Sequence, residues 1–143
     1  MGVEVLQETE RFNLHHIGWA VESIERAVLE FQMMGYRLIK MCDDESRNVR
    51  LALLGLEEGN CGDYLIELVE PLQSGSPVDS VVRRGGGVYH VCFEVDDIQK
   101  SVEMLVSRGY ILVESPREAE LFEGRKVAFL WKNGIGLVEL LEK

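Results

Sequence analysis

The stretch Tyr89-His-Val-Cys-Phe-Glu-Val-Asp-Asp-Ile98, running on to Gly109-Tyr110, decides the fold, because the chain has already spelled its pattern once. Moved back 74 positions without a gap, it lays His90 on His16, Val95 on Val21, Ile98 on Ile24, Val102 on Val28, Gly109 on Gly35, Tyr110 on Tyr36 and Leu112 on Leu38. A shared histidine at the head and a shared Gly-Tyr at the tail mark a duplicated module.

Each copy reads as β-α-β-β-β. In the first, Leu14 to Val21 alternates as a strand, with His15, Ile17, Trp19 and Val21 on one face and His16, Gly18 and Ala20 on the other. Ser23 caps a helix whose Ile24, Ala27, Val28 and Phe31 form a single apolar stripe, and Gly35 ends it. Strands follow at Tyr36 to Met41, Val49 to Leu54 and Tyr64 to Val69; the acidic run Asp43-Asp44-Glu45 reads as a solvent turn, as does Gly55 to Gly62. The second copy repeats this order: strand Val88 to Val95, helix from about Asp97 to Arg108, then strands Tyr110 to Glu114, Lys126 to Trp131 and Gly136 to Leu141, with Pro116 to Gly124 a polar loop. This predicts a 1–13 N-terminal extension, a first module at 14–70, a linker at 71–87 and a second module at 88–143, together one α+β domain. Within the linker, Ser76-Pro77-Val78-Asp79 looks like a helix start, with Ser76 as cap and a short helix to Arg84.

Composition narrows the function classes. The 143 residues are 46% hydrophobic and 28% charged, an ordinary globular balance. A net charge of −10 argues against nucleic acid or an anionic membrane as partner. Cys42, Cys61 and Cys92 form an odd, scattered set without C-x-x-C, which fits a reducing compartment. Met1 to Asn13 has no apolar core of a signal peptide, and no run is long enough to span a bilayer, so a cytoplasmic protein is expected.

Four residues stand out: His16 and His90 on the first strands, Glu67 and Glu139 on the last. The histidines are 74 residues apart and the glutamates 72, so each module supplies one of each. Glu67 lies between Leu65 and Val69 on its strand face, as Glu139 lies between Leu137 and Leu141. An ionised carboxylate on an apolar face costs several kcal/mol unless it meets a cation or a proton. One divalent metal accounts for all four residues, because two imidazoles and two carboxylates suit Ni²⁺, Co²⁺, Zn²⁺, Mn²⁺ or Fe²⁺. Cys92 shares parity with His90 and reads as a small buried thiol; His15 points away from His16 and reads as structural; Trp19 and Trp131 read as core or cleft wall.

Several motifs carry a resemblance: His-Ile-Gly-x-Ala-Val near the start, Ile-Glu-Leu-Val-Glu-Pro at 66–71, Ser-Pro-Val at 76–78, the run from Gly87 to Ile98, Val-Ala-Phe-Leu at 127–130 and Gly-Leu-Val-Glu-Leu at 136–140. Over residues 14–142 the chain resembles the vicinal oxygen chelate superfamily, and within it bacterial glyoxalase I-like proteins and methylmalonyl-CoA epimerases. The resemblance implies paired βαβββ modules curled into a half-open mixed β barrel with His16, Glu67, His90 and Glu139 as metal ligands. It implies proton transfer at a carbon next to a carbonyl, with Glu139 as base and Glu67 serving the opposite face. It also implies a small-molecule substrate, a thiol adduct or a thioester. Epimerases of the family place a further glutamate just before the strand that here begins at Val49. Ser46 occupies that place and Glu45 sits one residue early, while Tyr89 stands where those epimerases commonly carry histidine.

These departures make a glyoxalase I-like lyase the leading expectation, methylmalonyl-CoA epimerase the second, and a non-catalytic binding or resistance protein the third. Glu45, Arg47, Arg125 and Lys126 are the candidate substrate-binding residues near the expected cleft mouth. Exposed strand edges on a half-open barrel point to a homodimer.

Overall fold

The computed structural model describes residues 11–56 and 64–143. The Gly55 to Gly62 turn and the N-terminal extension therefore lie largely outside the described residues. The elements are β1 (Asn13–Ala20), α1 (Ile24–Met33), β2 (Tyr36–Asp44), β3 (Val49–Leu56), β4 (Leu65–Pro71), α2 (Asp79–Arg83), β5 (Gly87–Val95), α3 (Ile98–Ser107), β6 (Ile111–Ala119), a 3₁₀ turn (Glu120–Phe122), β7 (Arg125–Lys132) and β8 (Gly136–Glu142). All eight strands form one mixed sheet in the order β2-β3-β4-β1-β5-β8-β7-β6. Within each module the first and last strands pair in parallel, and β1 and β5 join the modules antiparallel.

The two faces of the sheet differ. One side carries α1 and α3: Ile24 and Phe31 pack on Ala52, Leu54, Ile66 and Leu68, while Ile98 and Val102 pack on Ala128, Leu130, Val138 and Leu140. Both helices start as the capping residues dictate. Ser23 Oγ accepts from the Arg26 amide at 3.3 Å and Asp97 Oδ1 from the Lys100 amide at 3.1 Å. Each first helical amide also donates at 2.9 Å to a glutamate from the end of its module's last strand, Ile24 to Glu70 and Ile98 to Glu142. An anionic oxygen there complements the positive end of the helix dipole.

The opposite, concave side is the cleft, and the sheet edges approach each other across its mouth. Arg47 in the β2–β3 turn donates through Nε to both Glu114 oxygens on β6 at 3.1 Å, and Lys40 Nζ on β2 donates to the Glu120 carbonyl at 3.2 Å.

Three expectations need correction. The acidic run is not all turn: β2 continues through Asp44, because Asp43 faces Arg50 across the ladder and bonds to it at 2.8 Å, and the turn is 45–48. The loop expected over Pro116 to Gly124 is instead the end of β6 and a 3₁₀ turn, whose Leu121 and Phe122 are buried in the cleft. The linker helix starts at Asp79, later than expected, with no side-chain cap bond at Val78; Asp79 Oδ2 turns back to accept from the Gly75 amide at 2.9 Å.

Candidate active site and metal centre

His16, Glu67, His90 and Glu139 meet on the concave face, two strands from each module. All four are buried, at 0%, 3%, 3% and 3% exposure. One donor atom from each lies within 4.8 Å of the other three. Glu139 Oε1 is 2.9 Å from His16 Nε2 and 3.0 Å from His90 Nε2; the Glu67 oxygens stand farther off, at 3.6 and 3.4 Å from the same nitrogens. The two Nε2 atoms are 3.2 Å apart.

Donor atoms each about 2.1 Å from a common cation lie about 3 Å apart when 90° separates them, so these spacings suit a first-row divalent ion. The hydrogen bonding agrees. Glu139 Oε1 is buried yet makes no properly angled hydrogen bond, despite its short contacts to both imidazoles. One donor atom from each of the four groups thus converges on a single small region, which is how ligands of an ion are arranged.

Their surroundings shift the two carboxyls in opposite directions. Burial drives the Glu67 carboxyl up, and the Glu139 charge adds to this. Burial opposes ionisation of Glu139 as well, but its contacts with His16 and His90 win and hold it well below the usual carboxylate range. Burial lowers His16 too, yet the charge of Glu67 and contact with Glu139 leave it raised. Burial raises the Cys92 thiol, reinforced by Glu139 and Glu67.

The surrounding backbone explains the geometry. Gly18 lies opposite His90 in the β1–β5 ladder, and a Cβ there would come within 2.1 Å of the His90 ring. The imidazole occupies the space that a side chain would fill. Phe122 stacks on His16 at 5.4 Å with 19° between the rings.

His15 corrects the expectation that it points away from His16. The register steps from Leu14–Phe93 to His16–Cys92, so His15 is an extra residue in a β-bulge and strict alternation fails. Its Nδ1 lies 2.8 Å from His16 Nδ1. Burial and the neighbouring His16 lower the His15 pKa to about 4. Tyr89, 74 positions on, is the extra residue of a second bulge and packs edge-on against His90 at 4.9 Å.

A cavity of about 460 Å³ opens above the quartet. Its walls are mostly apolar, including Leu51, Val69, Val113, Leu121, Phe122, Val127 and Phe129, and its rim carries Asp44, Arg47, Glu114, Arg117 and Glu120. Of the candidate substrate-binding residues, Arg47 lines this cavity. Glu45 is exposed in the 45–48 turn and Lys126 is exposed on β7, neither lining it. Arg125 pairs with Glu94 and the Glu142 carbonyl, away from the lining. The tryptophans are not cleft wall either: Trp19 packs against Phe31 under α1, and Trp131 is 41% exposed. Sequence reasoning missed Phe122, Leu121 and Tyr89 as cavity residues; for the first two, an apolar pair inside a polar loop was the available signal.

Residues 15–129 match the Glyoxalase/Bleomycin resistance protein/Dioxygenase superfamily. The chain belongs to that superfamily. The mitochondrial methylmalonyl-CoA epimerase of Dictyostelium discoideum is 29% identical over 136 residues, covering 91% of this chain and 78% of its own. The ethylmalonyl-CoA/methylmalonyl-CoA epimerase of Cereibacter sphaeroides is 28% identical over 120 residues, covering 82% and 86%. The crystal structure of methylmalonyl-CoA epimerase from Mycobacterium tuberculosis superposes with a TM-score of 0.78 at 26% identity, covering 91% of this chain and 87% of that one.

These relatives overturn the glyoxalase I-like expectation and favour the epimerase reading. The His/Glu quartet does not separate the two enzyme readings, and the departures that favoured glyoxalase I, Ser46 with Glu45 one residue early and Tyr89, do not exclude an epimerase: Ser46 and Tyr89 line the cavity, while Glu45 sits on an exposed turn outside it.

Proposed function

We propose that the protein is a divalent-metal-dependent epimerase of a CoA thioester of the methylmalonyl or ethylmalonyl kind. The observation that carries the proposal is the buried quartet, with two carboxylates at the base of a cavity, in a chain whose curated relatives include such epimerases. His16, Glu67, His90 and Glu139 would hold the ion. When bound, it supplies Lewis-acid polarisation of the thioester carbonyl and offsets the charge that develops on its oxygen.

The chain's own residues do the rest. Glu139 takes the proton from the carbon between the two carbonyl groups; the C–H pair becomes a carbon–carbon π bond to the thioester carbon, and the thioester C=O π pair moves onto its oxygen. Glu67 returns a proton to the opposite face, which inverts the centre. The placement of the two carboxyls favours this division, because the last strand of each module brings one of them to the base of the cavity. The apolar walls exclude water and keep the acidified carbon from side reactions. The cavity admits the acyl group and leaves most of the CoA outside, toward the rim.

Purified, metal-loaded protein in D₂O should exchange the 2-hydrogen of methylmalonyl-CoA and equilibrate its two epimers. Glu139→Gln should lower exchange by at least about 100-fold while weakening metal binding far less. No exchange by the wild-type protein would overturn the epimerase assignment, and an undiminished rate in the variant would remove Glu139 as base.

The homodimer belongs to the same proposal. Ile39 and Val113, equivalent residues on the two edge strands, are 56% and 60% exposed, beside Leu38, Met41, Ile111 and Leu112. Open edges with apolar side chains favour self-association. Sedimentation at micromolar concentration should give twice the 16.2 kDa chain mass, and a purely monomeric boundary counts against it.

A further inference from the structure

A histidine that binds a metal through one ring nitrogen normally donates the proton on the other to an acceptor, which fixes its tautomer and the direction of its lone pair. The two histidines of the quartet differ in this respect. Both approach Glu139 through Nε2. His90 Nδ1 is buried and has no hydrogen-bond partner. His16 Nδ1 has one, His15 Nδ1, at 2.8 Å. Two ring nitrogens at that distance share a single proton, so one donates and the other accepts.

The contact depends on the β1 bulge. In an unbroken strand, adjacent side chains project to opposite faces and these rings could not meet. Instead the extra residue turns the His15 ring to within 5.1 Å of the His16 ring, at 78° to it. Phe122 holds the pair from the cleft side, edge-on to His15 at 5.4 Å and stacked on His16. Tyr89 occupies the matching bulge in module two, and its ring packs edge-on against His90 without giving Nδ1 a partner.

We propose that His15 is a positioning residue of the metal centre: it accepts the Nδ1 proton of His16 and so holds the His16 Nε2 lone pair toward Glu67, His90 and Glu139. The two modules thus contribute unequally, with His16 anchored from behind by a hydrogen bond and His90 held only by packing against Gly18, Tyr89 and Phe129. His15 does not line the cavity; it acts through His16. This inference rests on the reading of the quartet as a metal site.

Cobalt(II) titration at pH 8, followed by visible absorption, tests it in wild type, His15→Leu and His15→Asn. The Leu variant should bind cobalt about 10–100-fold more weakly. The Asn variant, whose amide oxygen can accept in the same place, should stay within about threefold of wild type, a rescue that a merely space-filling role would not produce. Equal affinities for Leu and wild type, or equal losses for Leu and Asn, would overturn the role of His15. Wild-type protein that takes up no cobalt would overturn the metal reading itself. Should His15→Leu fail to fold, ¹⁵N NMR of zinc-loaded wild type decides: a proton on His16 Nδ1 supports the inference, and zinc on that nitrogen overturns it.

Discussion

Gly18 shows how one residue serves the site by having no side chain. An alanine methyl there would lie 2.1 Å from His90 Cε1, 2.2 Å from Nδ1 and 2.5 Å from Nε2. The ladder between β1 and β5 fixes Gly18 opposite His90, so the ring must yield. Gly18→Ala is expected to weaken zinc binding at least about 10-fold and to destabilise the fold by about 1–3 kcal/mol, as overpacking does. Zinc competition titration and thermal unfolding measure both, and wild-type zinc affinity would refute the account. The quartet itself was legible in the sequence, because His16 and His90, Glu67 and Glu139 recur at matching places and a buried carboxylate is costly without a reason. His15 was not, because alternation is a rule for unbroken strands and no residue type announces a bulge.

At the scale of elements, the duplication extends to irregularities. His15 and Tyr89 are the extra residues of bulges 74 positions apart; Ile39 in β2 and Val113 in β6 are another such pair. Bulges sharpen strand twist and bend, so repeating them in both copies curls each half of the sheet alike. The helices and central strands were readable from periodicity and caps. The outer strands were underestimated, since Asp43 and Asp44 read as solvent turn until Arg50 and Arg47 are seen beside them. Arg47 ties the outer parts together, pairing with Asp44 at 2.6 Å and with Glu114 at 3.1 Å while only 14% exposed. Burial pushes the Asp44 carboxyl up, but hydrogen bonds from Ser46 and Arg47 outweigh it and hold it below its ordinary value. A depressed carboxyl stabilises the fold above its unfolded pKa of about 4, and that contribution fades as the pH falls through the folded value. Arg47→Met should therefore cost about 1–3 kcal/mol near neutral pH, between exposed and buried pairs. The gap from wild type should narrow below about pH 4. A gap in urea unfolding that stayed constant from pH 7 to pH 3 would exclude an ionic tie.

Over the whole molecule, all four residues of the quartet come from one chain, because β1 and β5 join the modules and bring one histidine and one glutamate from each to the same point. No helix among the described residues is long and apolar enough to cross a membrane. The concave face that results is poorly satisfied by protein alone: two buried carboxyls and two imidazoles within 4.8 Å of one another exchange water for mutual contact, and Glu139 Oε1 is left without an aligned partner. A cation bound there links strands of both modules and binds the folded state, since the unfolded chain has no preformed quartet. At a free metal concentration about 1,000 times Kd, this adds about 4 kcal/mol to folding. For a chain of 143 residues, each kcal/mol moves Tm by about 2–4 °C or slightly more. Chelator-treated protein is thus expected to melt about 8–16 °C below the zinc- or cobalt-loaded form, with both modules melting together. Glu67→Ala together with Glu139→Ala should abolish the metal-dependent rise, because the two imidazoles that remain hold an ion far more weakly. Calorimetry with and without metal reads the shift directly, and equal Tm values for chelated and loaded wild type would show that no ion couples the two halves.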